Sequence, residues 1–278
     1  MRAEPALLIA GALLLAGCGG GNYLKGDGPP SGSTRIPDLP GDAVPRPEPR
    51  SKYGNGPVYE VLGKRYTVME SSENYQQRGV ASWYGKKFHG NLTSNREVYD
   101  MYAMTAAHKS LPLPTYVRVR NLKNNKSVVV RVNDRGPFLH NRLIDLSYAA
   151  AIKLDMVRDG TSLVEVTAIN FDQAAGDRPV RRADPPAPVE SVEPVEAGPA
   201  VNPVFVQVGA FGERVNAERQ LAELSLAGIG SAFIDEQRTP ERALYRVRIG
   251  PVASVAQYDT LVTELERIGI DDPYLIND

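Results

Sequence analysis

Two proline-rich segments constrain the architecture of this chain more than any other feature of its sequence. Of the 22 prolines in 278 residues, fourteen lie within residues 19–56 and 176–203. Segments rich in proline, glycine and charge bury too little apolar surface to offset the entropy of ordering them, so both are predicted to be disordered. They leave two compact regions, 57–172 and 203–278, and a chain of this length is expected to form two domains.

The N-terminus has the pattern of a bacterial export signal. Arg2 precedes an apolar run, residues 6–16, which is too short to cross a bilayer as a helix and fits the hydrophobic region of a signal peptide. The run ends in Leu-Ala-Gly-Cys, and Cys18 is the only cysteine of the chain. This string resembles the lipobox, in which the cysteine is lipidated and becomes the mature N-terminus. The resemblance implies a signal peptide over 1–17 and a lipid-anchored tether over 18–56.

The anchor also predicts a location and excludes thiol chemistry. Gly19 follows the cysteine where many inner-membrane lipoproteins carry aspartate, so the resemblance favours the periplasmic face of the outer membrane. The membrane is then one partner of the protein. A plain signal peptide with an incidental cysteine is the alternative. If the thiol of Cys18 is lipidated, no thiol remains for a disulfide, a nucleophile or a zinc site.

The charge balance argues against a nucleic-acid partner. Lysine and arginine number 32 against 33 aspartates and glutamates, which gives a formal net charge of −1. A dedicated nucleic-acid binder usually carries a strong basic patch. We therefore expect neither DNA nor RNA as a partner.

The C-terminal region, residues 203–278, contains an internal repeat with a spacing of 41 residues, in which Val206 and Gly209 recur as Val247 and Gly250. Each half is predicted to be a strand, an amphipathic helix and a Gly-Ile turn into another strand. Two such units form a ferredoxin-like βαββαβ domain, with the helices on one face of the sheet and the other face free to bind.

The strands of this region resemble those of SPOR domains, which bind peptidoglycan glycan strands stripped of their peptide stems. The similarity lies in F-V-Q-V-G-A-F, from Phe205, and Y-R-V-R-I-G-P, from Tyr245. On the residues alone, Gln207 and Arg248 occupy equivalent outward positions, where an amide and a guanidinium can bind sugar hydroxyl and N-acetyl groups. Two solvated side chains without a ligand are the alternative.

The central region, residues 57–172, is predicted to be a small β-barrel with one short helix over 143–154. The linker 173–202 follows it. Asn124 and Asn125 suit a hairpin turn, because asparagine tolerates positive φ. Alternating apolar residues indicate half-buried strands over 79–84, 116–120, 127–132 and 163–167.

Ionisable residues concentrate beside these strands, where loops commonly carry catalytic groups. Glu97 and Asp100 are close enough along the chain to converge on one site, His108 ends an alanine-rich stretch, and Asp134 follows a valine-rich strand. Tyr84 is a candidate for stacking on a sugar ring. No two histidines have the i, i+4 spacing of a metal site, so neither a metal nor another cofactor is expected.

Three motifs of this region are G-V-A-S-W-Y-G-K-K-F-H-G, Y-D-M-Y-A-M-T-A-A-H-K-S-L-P-L-P and V-R-V-N-D-R-G-P-F with R-L-I-D-L-S. They resemble the rare lipoprotein A family, endolytic peptidoglycan lytic transglycosylases built on a six-stranded double-psi β-barrel. Arg96 stands where the family usually has glycine, which can alter the loop backbone or lower the pKa of the next residue. The resemblance implies functional roles for Glu97, Asp100, His108 and Asp134.

Glycosidic cleavage needs an acid that protonates the leaving oxygen and negative charge near the oxocarbenium-like centre. By similarity Asp134 is predicted to be the acid, with a pKa raised above its usual value of about 3.9. Glu97 or Asp100 would supply the negative charge, and His108 would orient the acid. A local ion pair at Asp134 and a structural His108 are the alternatives. Asp145 is predicted to cap the following helix.

The predicted function is therefore a lytic transglycosylase. It cleaves the MurNAc–GlcNAc bond of stem-free peptidoglycan and acts in wall remodelling and daughter-cell separation, enriched at the septum. The muramoyl 6-hydroxyl, rather than water, captures the cation and leaves a 1,6-anhydro end. A non-catalytic septal peptidoglycan-binding lipoprotein is the alternative, and a hydrolase would leave reducing ends instead.

Overall fold

The structure is a computed structural model that describes residues 27–30, 38–139, 141–171, 203–238, 243–271 and 273–277. Cys18, the predicted signal peptide and the linker 173–202 lie outside the described residues. In the described part of the chain, no helix is both long and apolar enough to span a membrane.

Six strands close the central region into a barrel, and a hairpin precedes them. The hairpin consists of β1 Val58–Val61 and β2 Lys64–Thr67, and the barrel strands are β3 Gln76–Tyr84, β4 Thr105–His108, β5 Thr115–Asn121, β6 Ser127–Asp134, β7 Arg142–Ser147 and β8 Ser162–Ala168. The order around the barrel is β3-β7-β4-β6-β5-β8, and β8 pairs with β3 to complete the circle. The pairs β3–β7 and β4–β6 are parallel and the others antiparallel. The predicted six-stranded barrel is confirmed.

The valine alternation of β5 and β6 builds the interior of the barrel. Val117 and Val119 of β5 and Val130 of β6 are fully buried, whereas Arg118, between the two valines of β5, faces outward. Fully burying such a side chain stabilises the fold by about 1.5–3 kcal/mol. The short helix α1, Tyr148–Lys153, packs its alanines against this core.

The predicted helix over 143–154 is wrong in its first half. Residues Arg142–Ser147 form β7, which pairs with β3 on one side and β4 on the other. Helix α1 begins only at Tyr148, and its N-cap is Ser147, whose side chain accepts a hydrogen bond from the Ala150 N–H. Asp145 therefore lies inside a strand and does not cap the helix, because pairing on both edges outweighs the local helical pattern.

The second domain has the predicted order βαββαβ. Its elements are β9 Val204–Phe211, α2 Arg214–Leu226, β10 Ala232–Arg238, β11 Ala243–Ile249, α3 Val255–Arg267 and β12 Tyr274–Asn277. The sheet has the order β10-β11-β9-β12. Both helices contribute to the core, where Leu224 of α2 and Leu265 of α3 lie with Val206 and Val247 of the sheet. The prediction of a ferredoxin-like domain is confirmed.

The two domains are in direct contact through their sheets and side chains. Leu275 of β12 pairs with Arg78 of β3, so the two sheets are continuous. Arg142 makes two hydrogen bonds of 3.2 Å to the carboxylate of Asp259 on α3. Val80 of the barrel belongs to the same apolar cluster as the second domain's core.

Part of the segment predicted to be a tether lies against the barrel. Asp42 accepts a hydrogen bond of 2.9 Å from the Val129 N–H, and the Ser51 N–H donates one of 2.8 Å to the Leu113 carbonyl. We call residues 46–55, which run past β5 and β6 toward the loop before β4, the strap. The strap brings a carboxylate, Glu48, to the barrel wall.

Candidate active site

Four residues form a row across the barrel wall. Ser82 of β3 pairs with Asp145 of β7, Asp145 pairs with Ala107 of β4, and Ala107 pairs with Asp134 of β6. Directly paired residues point to the same face of a sheet, and strands lie about 4.8 Å apart. The two aspartates therefore face one surface with a single small residue between them, and their Cα atoms are about 10 Å apart by this spacing.

Asp145 has the properties of a proton donor. It is part-buried, and its Oδ1 accepts a hydrogen bond from the Ser82 hydroxyl. Burial raises the pKa of Asp145 to about 6, helped by the charge of Asp134, while Ser82 and the cations Lys109 and Arg142 lower it. The carboxyl group therefore keeps a proton at pH values where an ordinary aspartate has lost it.

The approach to Asp145 is kept open by a glycine. A Cβ atom placed on Gly136 would lie 4.0 Å from Asp145 Oδ2 and 3.7 Å from the Ala107 methyl group. Its φ of 142° also lies outside the range that L side chains readily adopt. A larger residue would fill the space beside the acid.

Asp134 is held as a hydrogen-bond acceptor. Its Oδ1 accepts from the Ser94 N–H at 2.8 Å, the Ser94 hydroxyl at 2.6 Å and the Arg135 N–H at 2.7 Å. Three donors on one oxygen fix the position of this carboxylate. The predicted proton donor is therefore held in place by the loop of Ser94 and by its own strand end.

Glu97 is fixed by two side chains of β6. Its carboxylate accepts from Arg131 Nη1 at 2.7 and 2.9 Å and from Asn133 Nδ2 at 2.8 Å. Burial raises the pKa of Glu97, but these hydrogen bonds and the charge of Arg131 lower it further, so the net shift is downward. Because Asn133 precedes Asp134 on β6, both carboxylates are held from the same strand end.

Arg96 adopts the backbone conformation that glycine would have. Its φ is 72°, in the left-handed region that costs an L residue roughly 1–2 kcal/mol. Its guanidinium lies 5.6 Å from the centre of the Tyr53 ring, a cation–π contact with the strap. The loop therefore holds the arginine at a positive φ, and the pKa of Glu97 is lowered by Arg131, Asn133 and Asn95.

Asp100 is exposed and points into its own turn. Its Oδ1 accepts from the Tyr102 N–H at 2.9 Å and lies 3.7 Å from His89 Nδ1. Among the described residues, its hydrogen bond and its histidine contact are therefore to residues of the same loop, 89–102.

His108 is buried in the barrel wall and has structural partners. Its Nδ1 accepts from the Leu111 N–H at 3.0 Å and the Ser110 N–H at 3.2 Å, and Nε2 lies 2.8 Å from the Tyr75 hydroxyl. Since Nδ1 is an acceptor, Nε2 carries the proton and donates it. Burial and the nearby cations Arg135 and Lys109 lower the pKa of His108 to about 3. Among the described residues, the hydrogen-bond partners of this ring are therefore the backbone of Ser110 and Leu111 and the side chain of Tyr75, not a carboxylate.

Tyr84 packs inside an aromatic cluster. It is 8% exposed, its ring stacks on Tyr99 with centroids 4.1 Å apart, and Phe88 covers its edge. The hydroxyl of Tyr99 donates to the Tyr84 carbonyl at 2.6 Å. With both neighbours in place, the predicted stacking face of Tyr84 is occupied by protein.

Gln207 and Arg248 are cross-strand neighbours, as their equivalent positions predict. Gln207 donates from its amide to the hydroxyl of Tyr274, and Arg248 Nη2 lies 3.1 Å from the Asp235 carboxylate. Both side chains are less than a tenth exposed. They line a groove of about 460 Å³ with residues of β3 and β12, including Gln76 and Arg246.

The structure adds Asp145 and Ser82 to the residues singled out from the sequence. The signal available was an acid between apolar neighbours in L-I-D-L, a pattern typical of a strand buried on both faces. The predicted helix over 143–154 includes these residues, so the strand is not identified from the sequence. Ser82 gives no local signal, because it meets Asp145 only through the pairing of β3 with β7.

The fold and these carboxylates define a class of protein, a double-psi β-barrel of the lytic transglycosylase type followed by a SPOR domain. The family described as "Lytic transglycolase" matches residues 76–166, and that described as "SPOR domain" matches residues 200–277. "Endolytic peptidoglycan transglycosylase RlpA" of Pseudomonas aeruginosa strain PAO1 is 40% identical, over 93% of this chain and 87% of its own length. The protein of the same name from Vibrio cholerae is 37% identical, over 95% and 93%. The chain belongs to the RlpA family, which confirms the resemblance of its motifs.

Among solved structures, the "RlpA SPOR domain from Pseudomonas aeruginosa" is 28% identical, with a TM-score of 0.25, and covers 27% of this chain and 99% of that one. An apo expansin of Clavibacter michiganensis is 17% identical, with a TM-score of 0.28, and covers 48% and 56%.

Proposed function

We propose that the barrel cleaves the MurNAc–GlcNAc bond of peptidoglycan with Asp145 as the general acid. The observation that carries this proposal is that Asp145, whose pKa is raised to about 6, lies on the same barrel face as Asp134. Membership of a family of endolytic peptidoglycan transglycosylases supports the substrate and the reaction. The proton donor thus differs from the predicted one, Asp134.

In this mechanism the two aspartates divide the work. Asp145 protonates the leaving glycosidic oxygen, and the fixed charge of Asp134 stabilises the oxocarbenium-like centre. Glu97, held by Arg131, adds negative charge from the loop whose Ser94 N–H donates to Asp134. Once Asp145 has given up its proton it is a base, and it accepts the proton of the muramoyl 6-hydroxyl as that oxygen closes the 1,6-anhydro ring. Proton and charge balance over the two steps, and no water is consumed.

The second domain is proposed to bind the glycan strand from which peptide stems have been removed. The match to the SPOR family supports peptidoglycan binding, and Gln207, Arg248 and Tyr274 supply an amide, a guanidinium and an aromatic ring along one groove. Lipidation at Cys18 and attachment to the periplasmic face of the outer membrane complete the proposal on the lipobox pattern, and septal enrichment rests on the SPOR match.

The test incubates the purified protein with amidase-treated sacculi and identifies the products by mass spectrometry. We expect fragments with 1,6-anhydro ends. Asp145→Asn should lower the rate at least 100-fold, since general acid catalysis contributes about 10²–10⁴-fold. Asp155→Asn, which removes an exposed aspartate paired with Lys126, is the matched control and should leave the rate unchanged. Reducing ends would contradict the lytic reaction, binding without release would favour a wall-binding protein, and an active Asp145→Asn variant would overturn the assignment of the acid.

A further inference from the structure

The strap, residues 46–55, contacts the candidate active site from outside the barrel. Its strongest contact is Glu48, whose Oε2 lies 2.7 Å from Arg131 Nη2 and whose Oε1 lies 3.1 Å from Arg131 Nε. The remaining nitrogen of the same guanidinium, Nη1, binds both carboxylate oxygens of Glu97. One arginine therefore bridges a strap carboxylate and a carboxylate of the candidate site.

The bridge is rigid because it is saturated and shielded. All three guanidinium nitrogens have a carboxylate partner, and the side chains of Arg131 and Glu48 are each 17% exposed. Planar two-point pairing between guanidinium and carboxylate fixes orientation as well as distance. Hydrogen bonds from Arg131 lower the pKa of Glu48 to about 2, although burial opposes the shift, so the strap end of the bridge stays charged at any pH of interest.

Further contacts hold the residues that hold Asp134. The carbonyl of Gly54 accepts from Arg135 Nε at 2.7 Å, and Asn55 Oδ1 accepts from Arg135 Nη2 at 3.2 Å. Gly54 also lies so close to the loop that a Cβ atom there would come within 3.1 Å of the Ser94 carbonyl. Ser94 and Arg135 are the residues that donate to Asp134.

We propose that the strap belongs to the catalytic apparatus, with Glu48 as a positioning residue that fixes Glu97 through Arg131. The proposal rests on the proposed function, since it gives Glu97 a role in stabilising the cation. Its physical basis is that a misplacement of about 1 Å in a reacting group can cost 10²-fold in rate. Without Glu48, two of the three nitrogens of Arg131 lose their anionic partner, and the guanidinium is free to turn away from Glu97.

The first test compares full-length Glu48→Gln with Asp42→Asn. Asp42 is the matched control, because it is a carboxylate just before the strap whose partners among the described residues are Lys153, at 2.6 Å, and the Val129 N–H, at 2.9 Å. With stem-free glycan as substrate, we expect Glu48→Gln to lower kcat about 10-fold with KM changed less than twofold, and Asp42→Asn to change neither. Glu48→Asp, which keeps the charge, should recover part of kcat.

The second test needs no activity. Carbon-13 NMR titration of the Glu97 carboxyl should give a pKa below the ordinary glutamate value in the wild-type chain and in Asp42→Asn. In Glu48→Gln the pKa of Glu97 should move up, because the loosened hydrogen bonds from Arg131 outweigh the lost negative charge of Glu48, which alone would lower it. A downward shift would show that Arg131 stays in place without Glu48 and would overturn the positioning role. A wild-type chain that releases no anhydro product would refute the proposed function, while the titration still decides the bridge. An unmoved Glu97 pKa, an unchanged kcat, or an equal loss in Asp42→Asn would overturn the positioning role.

Discussion

Each of the two domains carries a row of side chains from paired residues of neighbouring strands, and the two rows differ in the chemistry they permit. In the barrel the row is Ser82, Asp145, Ala107 and Asp134, with two carboxylates on one face. In the SPOR domain the row is Tyr274, Gln207, Arg248 and Phe233, which contains an amide, a cation and two rings but no acid.

The difference shows how one structural device serves two purposes. Strand pairing fixes side chains at a spacing of about 4.8 Å in both domains. In the barrel, burial raises the pKa of Asp145 into a range where it can donate a proton. The SPOR row offers fixed hydrogen-bonding groups and rings, which suit binding a sugar chain.

The largest effect that would sharpen this contrast is expected for Asp134→Asn. Removing a preorganised charge from the reaction centre commonly costs about 10²–10³-fold in rate. The charge of Asp134 also raises the pKa of Asp145, so its removal should move the alkaline limb of the pH–rate profile to lower pH. The profile of residual activity on amidase-treated sacculi measures both. A limb that stays in place would separate the two aspartates functionally.

Arg248→Ala should affect binding alone. We expect about 10-fold weaker sedimentation with stem-free sacculi, and an unchanged kcat on short soluble glycan that only the barrel engages. Arg219→Ala, on the exposed side of α2, is the control for charge. If Arg248→Ala lowered kcat on the short substrate, the division of labour between the domains would be wrong.

Much of the fold was predictable, and the candidate site was less so. The valine alternation of β5 and β6 and the 41-residue repeat of the SPOR domain are local patterns, and both predictions are confirmed. Strands β4 and β7 were missed because they have four and six residues and take their stability from partners on both edges. One of them, β7, carries Asp145. Asp145 acquires its pKa from burial and from a hydroxyl 63 positions away, which no sequence window contains.

The contrast extends to acid stability, because all three histidines precede the SPOR domain in sequence. His108 has a folded pKa of about 3 against an ordinary value of 6.5, so the unfolded barrel binds the proton first as the pH falls through that window. The loss is about 1.4 kcal/mol of unfolding free energy per pH unit. Asp145, with a raised pKa, acts in the opposite direction below about 6. His108→Gln should flatten the loss relative to wild type.

Urea unfolding followed by fluorescence measures this effect in the barrel alone, since Trp83 is the only tryptophan. His89→Gln, at a half-exposed histidine, is the control for the loss of an imidazole outside the barrel wall. Parallel curves for His108→Gln and wild type between pH 6 and pH 4 would show that His108 does not stay neutral in the folded state.

The smallest effect is expected for Ser82→Ala, and its direction is the informative part. The Ser82 hydroxyl lowers the pKa of Asp145 by donating to the charged form. Its removal should therefore move the alkaline limb of the pH–rate profile up, by less than about one unit, opposite to the shift for Asp134→Asn. Ser72→Ala, which removes an exposed hydroxyl bonded to Asn170, should leave the limb in place. Opposite shifts from the two neighbours of a single group would identify Asp145 as the titrating acid, whereas shifts of the same sign would assign that limb to another residue.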